Sequence, residues 1–198
     1  MANRSYLYSA NHLPESPEWE KVRDLHSIAE WNYDIPVAFK LLLAGNPSAV
    51  KSSIWETAEK IAIAGDFQAG ITALNQYLSK LPPQAETLVT EAREFLSKAE
   101  NEGKYFILEC GEIFDMDEGP LEEKNLALIE EIKLISQEIQ ALVVPSPTIT
   151  QQPKRSFVDK LLGRKQEQPK LDPLEPFYGL GLGNWSNILY FQFGEENA

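Results

Sequence analysis

The sequence predicts one α+β domain over residues 1–198: a mostly antiparallel sheet covered by four or five helices, with a Pro-rich basic insertion over 145–176 before a C-terminal strand. Three observations carry that expectation. Hydrophobic residues make up 43% and charged residues 24%, the usage of an ordinary globular chain with enough length to bury a core unaided. Aromatic and β-branched segments stand near both ends and in the middle. Between them lie apolar periods of helical spacing.

Arg4-Ser-Tyr-Leu-Tyr-Ser9 alternates, so it reads as the first strand. Ser16-Pro17 then has the form of an N-cap followed by proline at the first helical position. The helix expected from it runs to about Trp31, with Trp19, Val22, His26 and Ala29 along one stripe. Asp34-Ile-Pro36 introduces a short helix over 37–44, closed by Gly45. Residues 50–64 fit two strands or one irregular helix, and strand at 60–64 is the favoured reading.

The two clearest elements follow. Asp66 caps a helix carrying Phe67, Ile71, Leu74, Tyr77, Leu78 and Leu81 on one face, and Pro82-Pro83 stops it. The next helix aligns Ala85, Leu88, Val89, Ala92, Phe95, Leu96 and Ala99, so the pair forms an antiparallel hairpin. Lys104-Tyr-Phe-Ile-Leu-Glu-Cys110 reads as a strand. After Gly119-Pro120, a long helix aligns Leu121, Leu128, Ile129, Ile132, Ile135, Ile139, Leu142 and Val143.

From Pro145 to about Pro176, prolines and glutamines interrupt regular structure, apart from two possible helical turns within 155–163. Ser186-Asn-Ile-Leu-Tyr-Phe-Gln-Phe193 has strong strand propensity. A lone strand is not stable, so this segment is expected to dock on the sheet, which makes 145–176 an insertion and not a linker. No internal repeat is visible.

Charge and cysteine usage narrow the chemistry. With 18 Lys+Arg against 30 Asp+Glu the net charge is −12, unsuited to nucleic acid, which needs clustered cations. Residues 151–170 carry +4, so the remainder carries −16. The single cysteine, Cys110, excludes a disulfide framework and multi-Cys zinc sites. Without a leader-like N-terminus or an apolar run of roughly 20 residues, the expected location is the cytoplasm.

No cofactor, metal or catalytic set is expected. His12 sits in a polar loop and His26 on an apolar stripe, and neither has a nucleophile at motif spacing. Cys110 reads as an inert core thiol. Asp115-Met-Asp-Glu-Gly119 gathers carboxylates but lacks the calcium-loop ladder, and a solvated turn before a helix explains it as well. Glu109 and Glu112 are a carboxylate pair of a kind that 30 acidic residues produce by chance. Gly179, Gly181 and Gly183 precede a strand, whereas phosphate-cradling loops follow one. The candidate partner contacts are the aromatics Trp31, Tyr33 and Trp185, which ordinary core packing also explains, and the acidic Asp115, Asp117 and Glu118.

The opening Met1-Ala-Asn-Arg-Ser-Tyr-Leu-Tyr8, Asn32-Tyr-Asp-Ile-Pro36 before a short helix, and the aromatic closing strand together resemble an uncharacterised family of bacterial cytosolic proteins. The resemblance implies no activity for particular residues. Small acidic α+β proteins of this sort occur as immunity partners of secreted bacterial toxins, an associational argument. The expected function is therefore non-enzymatic binding of another protein, a basic one, with toxin neutralisation as its specific form. A hydrolase or transferase with a carboxylate site is the first alternative. A membrane-surface adaptor using 154–165, where Phe157, Val158, Leu161 and Leu162 lie among Lys154, Arg155, Lys160, Arg164 and Lys165, is the second.

Overall fold

Alternation in Arg4-Ser-Tyr-Leu-Tyr-Ser-Ala10 builds strand β1 (Arg4–Ala10) in the computed structural model, which describes residues 3–22, 24–145 and 172–190. Both faces of β1 are buried: Tyr6, Tyr8 and Ala10 on one side, Ser5, Leu7 and Ser9 on the other. With β2 (Leu25–Asn32), β3 (Ser48–Val50), β4 (Ala62–Asp66) and β5 (Tyr105–Glu109) it forms one sheet in the order β2-β1-β5-β4-β3. Every neighbouring pair is antiparallel.

The helix expected from Ser16 to Trp31 does not form. Ser16-Pro17 starts only turns, in which Trp19 N–H donates to Ser16 O and Val22 N–H to Glu18 O. Asp24 then accepts from Asn11 N–H and pairs with His12, reversing the chain into β2. His26 consequently lies exposed on an edge strand and not on a buried helical stripe.

The helices obey their sequence signals more closely. Helix α1 (Val37–Leu42) ends two residues earlier than expected. The Asp66 carboxylate accepts from Ala69 N–H at 2.8 Å and caps α2 (Phe67–Leu78). At Gly70 α2 passes so close to α1 that any Cβ would overlap Leu42 O. Helix α2 ends at Leu78, short of the expected Leu81, and after turns over 79–81 Pro82-Pro83 leads through a 3-10 turn into α3 (Glu86–Leu96). Helix α4 (Gly111–Phe114) is a single turn after β5, and α5 (Leu121–Gln137) follows Gly119-Pro120. The ambiguous 50–64 region divides into β3, an irregular loop over 51–60, and β4.

Two cores result. On one sheet face α1, α2, α3 and α5 pack over Leu7, Ile28, Ile63, Phe106 and Leu108. On the other, Tyr6, Tyr8, Val50, Ala62, Ala64 and Ile107 of the sheet lie with Trp19 and Leu189, flanked by Leu13, Ile54 and Trp55. The tail joins the two. After α6 (Glu175–Tyr178) it buries Phe177, Leu180 and Leu182 in the helical core, crosses the free edge of β2, and buries Leu189 in the opposite core.

Over the described part of the expected closing strand, residues 186–190, the tail does not extend along β2 as a ladder. Among the described residues only Ala29 and Trp185 form a bridge, with Ser186 N–H donating to Ile28 O. Asn187 then uses its side chain, not its backbone, to reach Ser27 O. Ser186 Oγ turns back to Ile188 O, and the chain leaves the ladder. Residues 191–193 of that stretch, the basic segment 154–165 and most of the 145–176 insertion lie outside the described residues.

Candidate functional site

Two places gather chemistry. The first is the end of the sheet where β1 begins and β5 finishes. Glu109 is fully buried there, on the face shared with Tyr6 and Ala62. One carboxylate oxygen accepts from Ser53 N–H at 2.6 Å and Ser53 Oγ at 2.7 Å, and the other from Ser52 Oγ at 2.8 Å. Ser52 Oγ in turn accepts from Ile54 and Trp55 N–H, so Glu109 nails the 51–60 loop onto the sheet. Trp55 reaches across to Tyr6, with ring centroids 6.5 Å apart. Burial pushes the Glu109 carboxyl above its ordinary value, while the serine donors pull the other way.

Glu112 on α4 is the second carboxylate of this pair. It accepts from Tyr6 OH at 3.0 Å and Arg4 N–H at 2.9 Å. Burial first, and Glu112 next, push the Tyr6 phenol far up, so it stays a donor. Both carboxylates are therefore engaged in holding the fold, Glu109 with no surface left for a substrate. Cys110, beside them, is also fully buried, and burial raises its thiol pKa well above the usual value. A thiol reagent is expected to label Cys110 only after denaturation, and rapid labelling of the native chain would contradict this placement.

The second place is the seam where the tail crosses β2. Arg4 pairs with Glu30 at 3.3 Å and lies 4.0 Å over the Tyr190 ring, while Tyr190 N–H donates to Glu30 at 2.6 Å. Trp185 stacks on Phe95 of α3 at 6.1 Å, and its buried indole N–H meets no acceptor among the described residues. Trp31 forms one wall of a cleft of about 320 Å³ between β2, α3 and the tail, with Leu88, Leu174 and Tyr178 as further walls and Glu91 as its charged group. Tyr33 follows the last residue of β2, 60% exposed and at φ 62°, with its N–H donating to Asn3 O. That left-handed conformation costs an ordinary residue about 1–2 kcal/mol.

The six residues singled out from sequence thus divide. Trp31 and Trp185 both pack on the helical core where the tail meets β2, while Tyr33 lies just past the end of β2 with its ring exposed. Trp31 and Trp185 are partly buried against the helical core, so they also serve packing. Asp115, Asp117 and Glu118 form an exposed turn between α4 and α5. Lys124 already sits within that turn, its ammonium donating to Phe114 O and Asp117 O. Tyr178, Ile188 and Tyr190 were not among the six: Tyr178 opens the glycine-alternating stretch that precedes the expected closing strand, and Ile188 and Tyr190 lie in that strand.

Residues 11–146 match the family described as a domain of unknown function (DUF7822). The chain belongs to that family. No curated protein and no solved structure matches it. The matched segment starts just past β1, yet β1 lies between β2 and β5, and the tail beyond residue 146 fills both cores. In this member of the family, the folded unit therefore extends beyond the matched segment on both sides. Among the described residues, no helix is long and apolar enough to cross a membrane.

Proposed function

We infer that the chain is a non-enzymatic protein-binding protein of the cytoplasm whose partner is basic, with neutralisation of a bacterial toxin as the specific form of that role. One observation carries the reading. The seam along β2 presents Tyr33, Tyr178, Ile188 and Tyr190 to solvent, each at least 42% exposed, on a body that bears −16 outside residues 151–170. Exposed aromatics give large contact area at small entropic cost, and a one-signed field steers an oppositely charged protein toward them. The strained Tyr33 backbone supports the same surface, because an exposed ring recovers little burial energy in return.

The test is capture of host proteins on the full chain, in parallel with a Tyr33→Ser, Ile188→Ser double variant. Both side chains are exposed, so the variant is expected to melt as the parent does. One basic protein should be retained in stoichiometric amount by the parent, at least ~10-fold less by the variant. A tightly held small molecule in place of a protein would instead favour the carboxylate-enzyme alternative.

A further inference from the structure

The cleft at the seam has a composition that selects its occupant. Its walls are apolar and aromatic, Trp31, Leu88, Leu174 and Tyr178, and among the described residues the one charged side chain lining it is the carboxylate of Glu91. A second carboxylate stands beside it: Tyr178 OH donates to Asp172 at 2.7 Å, which fixes the ring at the cleft mouth. The Asp172 hydrogen bond first, and the Glu91 charge more weakly, push the Tyr178 phenol up, so both carboxylates are felt at this ring. No Lys or Arg of the described chain lines the cleft to neutralise Glu91.

An aromatic wall beside a carboxylate that no described Lys or Arg pairs with is the complement of a planar cation. A guanidinium stacks on aromatic faces while its fork of N–H donors meets a carboxylate, and it sheds water more readily than an ammonium. The cleft is open, bordered by the exposed Gly183 and Asn184 of the tail and Thr87 of α3. Such a border admits a side chain presented on a longer segment. We propose that this cleft is a receptor for an arginine side chain of the basic partner protein, held between the Trp31–Tyr178 walls and Glu91. The proposal rests on the protein-binding reading and specifies the chemistry that the partner brings to this surface.

The experiment uses the full chain, labelled for amide NMR, and a blocked hexapeptide containing two arginines. Its twin carries citrulline at both positions, which keeps the shape and removes the charge. The arginine peptide should shift the amides of Leu88, Glu91, Gly183 and Asn184, and the citrulline peptide should leave them in place. Glu91→Gln, an exposed change on α3, should retain the parent spectrum elsewhere and weaken the arginine peptide at least ~5-fold, and added salt should weaken the parent complex. Equal binding of the citrulline peptide, equal binding of free arginine, or shifts confined to other surfaces would overturn the proposal. A basic host protein retained equally by the parent and by Glu91→Gln would also overturn it, while leaving the protein-binding reading standing.

Discussion

Truncation after Pro176 is expected to yield insoluble protein. The deletion removes Phe177, Leu180, Leu182 and Leu189, all buried, and the first three belong to a different core from the last. Burying each such side chain is worth roughly 1.5–3 kcal/mol, so the loss rivals the total stability of a domain of this size. It also uncovers the outer edge of β2 at Ile28 and Ala29, where the tail now pairs, leaving an apolar strand edge open to other chains. Leu182→Ala is the milder version, at about 2–5 kcal/mol by denaturant unfolding. A truncated chain that stays soluble and melts cooperatively at the parent temperature would show that the tail is ornamental.

The second large effect is expected at Glu109. Glu109→Ala leaves Ser53 N–H and the hydroxyls of Ser52 and Ser53 without their acceptor in a buried site. Stranding such donors and opening a cavity costs about 3 kcal/mol, read by urea unfolding. Glu109→Gln keeps the volume but offers one acceptor oxygen in place of two, and should cost about 1–2 kcal/mol. The pH dependence has a definite sign. Burial raises the folded-state value of this carboxyl, so the folded chain binds its proton more tightly than the unfolded chain. That contribution to stability is complete below the ordinary value of 4.5 and is lost as pH rises through the folded value. The advantage of the parent over Glu109→Gln should therefore shrink as pH rises from 4.5. A gap that stays constant or widens would contradict the assignment.

Much of the fold was legible, and the failures have identifiable causes. Helices α2 and α3 are amphipathic elements with one buried stripe each, bounded by Asp66 and Pro82-Pro83, so local rules sufficed. Strands β1 and β5 were visible from their aromatic and β-branched residues. Strand β2 was not, because Trp19, Val22, His26 and Ala29 mimic helical spacing after a proline cap. In addition the β1–β2 register shifts at Ile28, so Ile28 and Ala29 both lie in the helical core and, with Ser27 also buried, the alternation that marks a half-exposed strand is erased.

The candidate site was legible in part for a similar reason. Trp31, Tyr33 and Trp185 stood out as single aromatic residues. The placing of Trp185 beside β2 depends on a tail that crosses an edge about 150 residues away in sequence, and no local pattern encodes that. Glu109 and Glu112 were visible as a pair, but the serines that fill the Glu109 carboxylate come from a loop more than 50 residues upstream. Only the sheet register brings them together.

The central claim is that the β2–tail seam is the surface on which a basic protein docks. Hydrogen exchange of the full chain, with and without the basic host protein captured on it, tests that claim most directly. Slowed exchange is expected in β2, at Tyr33 and across residues 172–190, with the acidic Asp115–Glu118 turn unchanged. Protection confined to that turn or to the outer faces of α2 and α5, with β2 and the tail exchanging as in the free chain, would contradict it.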